Sequence, residues 1–138
     1  MWIHGHSIRV EYPDRMNNTR RLGYYVRLDG QANTTNWFHV AIPTAVIVDG
    51  NRLRIDSVML RFRTSGATVT KVHVYDGGNK IASHDGLSLN PSDWAFERFD
   101  VPSEPEILWG LGFSFMGEFG SGSRRRIEVS SAGGDFLP

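Results

Sequence analysis

Apolar and polar residues alternate with a period of two along the whole chain, and no long segment sustains a helical period. Ile8, Val10 and Tyr12 alternate with Arg9 and Glu11. Leu22, Tyr24, Val26 and Leu28 alternate with Arg21, Gly23, Tyr25 and Arg27. Both runs predict half-buried strands with one wet face, and Pro13-Asp14 and Asn17-Asn18 mark a loop between them. Trp37 to Ile42 predicts a third strand, stopped by Pro43, and Asp49-Gly50 gives a hairpin signal. From Arg52 to Arg63 the apolar parity flips across Asp56-Ser57. One inserted residue there, a β-bulge, would return both sets of apolar side chains to the same face.

Val69 to Tyr75 and Lys80 to His84 predict two strands joined by the turn Asp76-Gly77-Gly78-Asn79. Trp94 to Val101 predicts another. Ile107, Trp109, Leu111, Phe113 and Phe115 form a period-two row opposite Leu108, Gly110, Gly112 and Ser114. Glycines on one face of a strand suggest close approach of another backbone or ring. Arg124 to Ser131 is the last strand, followed by a short tail. The pattern therefore predicts about nine to ten short strands in one domain spanning residues 1–138. The two-layer solution is an antiparallel β-sandwich of jelly-roll type, with a closed β-barrel as the alternative.

Composition narrows the chemistry. There is no cysteine among the 138 residues, which excludes a disulfide scaffold, a thiolate metal site and a cysteine nucleophile. Basic and acidic residues balance at 15 each. No overall field therefore pulls on nucleic acid or membrane. The balance hides an asymmetry: residues 1–69 carry 9 basic and 5 acidic side chains, and residues 70–138 carry 6 and 10. Halves of opposite sign attract within one fold or between copies of it, so a homo-oligomer is one expectation. No apolar run approaches the roughly 20 residues of a membrane span, and the N-terminus lacks the features of a secretion signal. Cytoplasmic location is the default expectation.

Trp37-Phe38-His39 is the most informative cluster. With Phe38, Val40 and Ile42 facing the core, Trp37 and His39 face outward. The outward face of the preceding strand offers Tyr25 and Arg27. Together Trp37, His39, Tyr25 and Arg27 predict an aromatic and guanidinium patch suited to a sugar ring or to a subunit interface. His4-Gly5-His6 has the spacing of two metal ligands on a strand, and Asp76-Gly77-Gly78-Asn79 offers oxygens to a cation. Solvated histidines and ordinary turn chemistry explain both more simply, so no metal or other cofactor is expected. Arg124-Arg125-Arg126 reads as a solvated strand edge rather than a nucleic-acid site.

Four stretches also carry a resemblance: Trp2-Ile3-His4-Gly5, Thr35-Asn36-Trp37-Phe38-His39-Val40-Ala41-Ile42-Pro43-Thr44, Val72-His73-Val74-Tyr75-Asp76-Gly77 and Ser131-Ala132-Gly133-Gly134-Asp135-Phe136. Over nearly its whole length the chain resembles a group of small, single-domain, mostly bacterial β-sandwich proteins of unknown function. That resemblance implies a fold and brings no activity, cofactor or catalytic residue. The leading functional expectation is a non-catalytic, self-associating module that binds carbohydrate or a similar polar ligand. The alternatives are a structural protein whose aromatic patch is a subunit interface, and a small acid–base enzyme or cyclase with a β-walled pocket.

Overall fold

The computed structural model describes every residue from Met1 to Pro138. Thirteen strands follow in chain order: β1 (Trp2–His4), β2 (Arg9–Val10), β3 (Met16–Arg21), β4 (Val26–Gly30), β5 (Thr35–Ile42), β6 (Ile47–Val48) and β7 (Asn51–Arg52). The rest are β8 (Arg54–Ser65), β9 (Ala67–Asp76), β10 (Asn79–His84), β11 (Ala95–Asp100), β12 (Leu111–Phe119) and β13 (Arg126–Leu137). Four of them, β1, β2, β6 and β7, are two or three residues long, and the other nine match the number that the alternation predicts.

All pairings are antiparallel, and they build two large open sheets and the small separate hairpin β6–β7. Sheet I runs β11-β8-β13-β4-β3, with β1 also on β13, and sheet II runs β10-β9-β12-β5-β2. Neither sheet closes on itself, so the fold is a jelly-roll sandwich and the barrel alternative falls away. Between the layers lies one cluster of 25 buried apolar residues drawn from both sheets. Phe38, Phe62, Phe113, Phe115 and Phe119 are its largest members. Burial of this aromatic mass is the main force that holds the layers together.

The parity flip in β8 has the predicted cause. Ser57 pairs with Asp135 and Ile55 with Phe136, so Asp56 is the extra residue of a bulge. Ile55, Val58, Leu60 and Phe62 consequently all point inward and are fully buried. The charge asymmetry is neutralised inside the fold. Arg27 and Arg63 of the basic half both reach Glu128 of the acidic half, at 3.3 and 2.9 Å, and Arg54 reaches Glu104 at 3.4 Å.

Several expected boundaries differ: the strand expected over Ile8–Tyr12 is only Arg9–Val10, because short turns flank it on both sides, and the one expected from Leu22 begins at Val26. Asn17 and Asn18, expected in a loop, lie in β3, where an edge strand with a single partner leaves their side chains in solvent. The turn falls instead at Leu22–Tyr25, closed by the Leu22 amide on the Tyr25 carbonyl at 2.9 Å. The last strand runs on to Leu137 because β8 and β1 continue to pair with it. Gly133 permits this, since a Cβ there would lie 2.5 Å from the Met1 carbonyl oxygen. Finally, β12 begins only at Leu111, and Trp109, expected in the buried row, is 76% exposed.

Candidate functional site

The outer face of sheet II is built in cross-strand rows. β12 is the middle strand, with β5 on one side and β9 on the other. Its outward positions are Gly112, Ser114 and Met116. The register aligns Ala41, Gly112 and Tyr75 in one row, His39, Ser114 and His73 in the next, and Trp37, Met116 and Lys71 in the third. The first row lacks a side chain at its centre and has only a methyl group at Ala41. The sheet is therefore hollowed there, with Tyr75 as one wall. A groove of about 480 Å³ results, and Trp37, His39, Tyr75, Gly112, Ser114 and Glu11 are among its lining residues.

The polar groups of the groove are held in place. His39 sits between Ser114 Oγ, 2.6 Å from its Nδ1, and Glu11 Oε1, 2.9 Å from its Nε2. Glu11 is itself positioned from below. The fully buried Asn36 side chain accepts from the Tyr12 amide at 3.0 Å and donates to the Tyr12 carbonyl at 2.8 Å, which fastens the segment after β2 to β5. The Glu11 amide adds a 3.0 Å bond to the Trp37 carbonyl. On the far side, the His73 ring lies 4.9 Å from the Trp37 ring, and its Nε2 meets Asp85 Oδ1 at 2.9 Å. The hydrogen bond from His73, and then that from Ser83, hold the Asp85 carboxyl below its ordinary pKa of 3.8.

A carboxylate, an imidazole and a hydroxyl in sequence are the elements of a proton relay. Ser114, however, lies in a strand paired on both sides, so the ladder uses the backbone N–H groups beside it. The arrangement is a fixed row of hydrogen-bonding groups next to aromatic rings, open to solvent.

The structure brings Trp37 and His39 together and places Tyr25 and Arg27 elsewhere. Trp37, His39 and Arg27 point outward from their strands, as parity predicts, whereas Tyr25, expected in the same strand as Arg27, lies in the turn before β4. The chain, however, crosses from sheet I to sheet II between β4 and β5, so the two outward directions are opposite surfaces of the sandwich. The four residues do not form one patch. Arg27 instead donates to Tyr25 Oη and Glu128, each at 3.3 Å. Glu128 also accepts from Arg63 at 2.9 Å, and the Arg63 guanidinium stands 4.5 Å from the centre of the Trp94 ring. On that face Tyr25, Arg27, Arg63 and Glu128 thus form a bonded cluster of their own.

His4 and His6 come together, their rings 4.1 Å apart and the His6 amide donating to His4 Nδ1 at 3.1 Å, but through a turn and not along one strand face. His4 ends β1, His6 lies in a short 3-10 turn, and the His6 ring bonds to the Leu22 carbonyl. Arg125 and Arg126 are also engaged, Arg125 with the Gly30 carbonyl at 2.9 Å and Arg126 with Asp29 at 2.8 Å. A wider depression of about 940 Å³ at the opposite end of the sandwich is lined mostly by serine, threonine and glycine, with Glu118 as its single charged residue.

Glu11, Tyr75, Gly112 and Ser114 join the site without having been part of the predicted patch. A signal for two of them was present in the sequence: the run Gly110, Gly112, Ser114 opposite the apolar row marks a strand face cleared for something to approach. Glu11 left no such signal, because its place depends on how the β2 segment docks on β5.

Fold and site together define a jelly-roll sandwich with an open aromatic and polar groove on one sheet. The chain belongs to the family of unknown function DUF6623, whose model matches residues 1–136. No curated protein matches it in sequence. Among solved structures, it is similar to a low-affinity xylan binding module, CBM86, from Roseburia intestinalis, at 11% identity and a TM-score of 0.63, covering 99% of this chain and 95% of that one. It is also similar to a cyclase from Fischerella sp. TAU in complex with 4-(1H-indol-3-yl)butan-2-one, at 10% identity and a TM-score of 0.57, covering 99% and 89%. The CBM35 of Paenibacillus barcinonensis matches at 14% identity and a TM-score of 0.52, covering 100% and 98%. At these identities the likeness is one of fold, and a fold alone does not carry a function.

Proposed function

We propose that the protein is a non-catalytic carbohydrate-binding module and that the groove on the outer face of sheet II is its binding site. The observation that carries this reading is the row structure of that face. Trp37 offers an apolar ring beside His39, Ser114 and His73, which stand side by side at the spacing of neighbouring strands. A sugar presents the matching chemistry: a CH-rich face that stacks on an aromatic ring and a rim of hydroxyls that give and accept hydrogen bonds. The fixed positions of His39 and Glu11 lower the entropic cost of capturing such a ligand. Two of the similar folds being carbohydrate-binding modules is consistent with this reading.

The test is a glycan array followed by titration of the best binder against wild type and Trp37→Ala. The expected result is binding to at least one glycan, weakened about tenfold or more by the substitution, as for other central aromatic anchors. Absence of binding across the array, or an affinity unchanged in Trp37→Ala, contradicts the proposal.

A further inference from the structure

One exposed aromatic residue lies outside the groove but is built to stay beside it. Trp109 is 76% exposed, the most exposed of the large apolar side chains. It is not loose. Asp76, only 5% exposed at the end of β9, accepts three backbone hydrogen bonds from the turn that carries it: Leu108 at 3.0 Å, Trp109 at 2.8 Å and Gly110 at 3.1 Å. The Gly77 amide adds a bond to the Gly110 carbonyl at 2.9 Å, and the Leu111 amide is held by Thr44 Oγ1 at 3.1 Å. The Trp109 side chain lies against Gly77, where an added Cβ would come within 2.7 Å of the Trp109 Cβ. Gly77 and Gly110 are lining residues of the groove. The backbone that carries this large apolar ring is thus fixed at the groove's end, and the ring itself rests on Gly77 and faces water. An aromatic side chain on a fixed backbone makes an effective binding anchor, because little backbone freedom remains to be lost.

The position of the ring sets the size of the ligand. Met116, the cross-strand neighbour of Trp37, is five residues along β12 from Leu111, where the Trp109 turn ends. At about 3.3 Å per residue the row of Trp37 and the end of the Trp109 turn are on the order of 16 Å apart along the strand. No single sugar ring covers that distance. Between them come the row of His39, Ser114 and His73 and then the low floor at Gly112 and Ala41, and the path leads from Trp37 on β5 across β12 to Trp109 against Gly77, past the end of β9. A path of that length with an aromatic ring at each end suits an extended chain.

On the reading that the groove binds sugar, we infer that its ligand is an extended polysaccharide chain running from Trp37 across β12 to a second stacking platform at Trp109. Single sugars and short oligomers fill the groove alone, and a longer chain adds the contact at Trp109. Asp76 is the positioning residue for that platform and does not touch the ligand.

The experiment is calorimetric titration of wild type, Trp109→Ala, Trp109→Tyr and Trp37→Ala with the trimer and hexamer of both the xylo- and the cello-oligosaccharide series. In the series that binds, wild type should favour the hexamer over the trimer by about tenfold, the scale of one aromatic anchor. Trp109→Ala should remove that preference and leave trimer affinity unchanged, Trp109→Tyr should restore most of it, and Trp37→Ala should weaken both lengths. Because Trp109 lies outside the core, its variants should keep the wild-type melting temperature. If Trp109→Ala binds the hexamer as wild type does while Trp37→Ala weakens it, the second platform is refuted and the groove reading stands. If wild type binds neither series at either length, the extended-chain inference is overturned, while the groove reading stands or falls with the glycan array.

Discussion

Gly66→Ala is expected to destabilise the protein by about 3 kcal/mol, measured as a loss of unfolding free energy in urea. Gly66 joins β8 to β9 with φ +66°, a left-handed conformation that costs a side-chain-bearing residue about 1–2 kcal/mol. A Cβ there would also stand 1.8 Å from the Arg124 carbonyl oxygen, a backbone atom that cannot swing away. Relief requires the start of β13 to move, and overpacking of that kind adds about 1–3 kcal/mol. Two other glycines separate the contributions. Gly50 has φ +79° and open space around it, so Gly50→Ala should show the conformational cost alone, about 1 kcal/mol. Gly78 has neither feature, and Gly78→Ala should be near neutral. Equal effects at all three positions would contradict the close approach of the Gly66 turn to β13.

Asp76→Ala is expected to cost about 2–4 kcal/mol and to loosen the turn that holds Trp109. The carboxylate is the acceptor for three backbone amides, and a buried donor left without its acceptor costs about 1–3 kcal/mol. Partial access to water at the turn, where Leu108 and Trp109 are exposed, keeps the total below the full sum. Asp76→Asn keeps one acceptor oxygen, so its loss should be smaller. The check pairs urea denaturation with amide hydrogen exchange. Leu108, Trp109 and Gly110 should lose protection selectively in Asp76→Ala while the β5 amides keep theirs. Unchanged protection at those three amides would show that the turn is held by something else.

The sequence carried the fold further than it carried the site. Period-two alternation identified an all-β sandwich, and the parity flip at Asp56-Ser57 located a real bulge, because both are local consequences of which side chains must face the core. The same alternation turned Trp37, His39 and Arg27 outward, while Tyr25 lies in a turn to which strand parity does not apply. Parity says which way a side chain points from its own strand and is silent about which sheet the strand joins. The crossing between β4 and β5 therefore separated residues that look adjacent in sequence. Trp109 was misread for a related reason: its spacing continued the buried row of β12, and only the long-range hydrogen bonds from Asp76 pull that segment out of strand geometry. Asp76 itself looked like an ordinary turn residue, since its partners lie more than thirty positions away. The glycines at 110 and 112 were the one local sign of the groove.

Four tryptophans give the central claim a direct readout, because each indole N–H is a separate probe of one part of the surface. Trp37 is in the groove and Trp109 at its end, whereas Trp2 is on β1 beside β13 and Trp94 lies over the outer face of sheet I. The measurement is a two-dimensional nitrogen–proton spectrum of the labelled protein titrated with the hexamer that binds most tightly. The indole signals of Trp37 and Trp109 should shift progressively and saturate together, while those of Trp2 and Trp94 stay in place. A saturating shift of Trp94 with Trp37 unmoved would put the ligand on the opposite sheet and contradict the account.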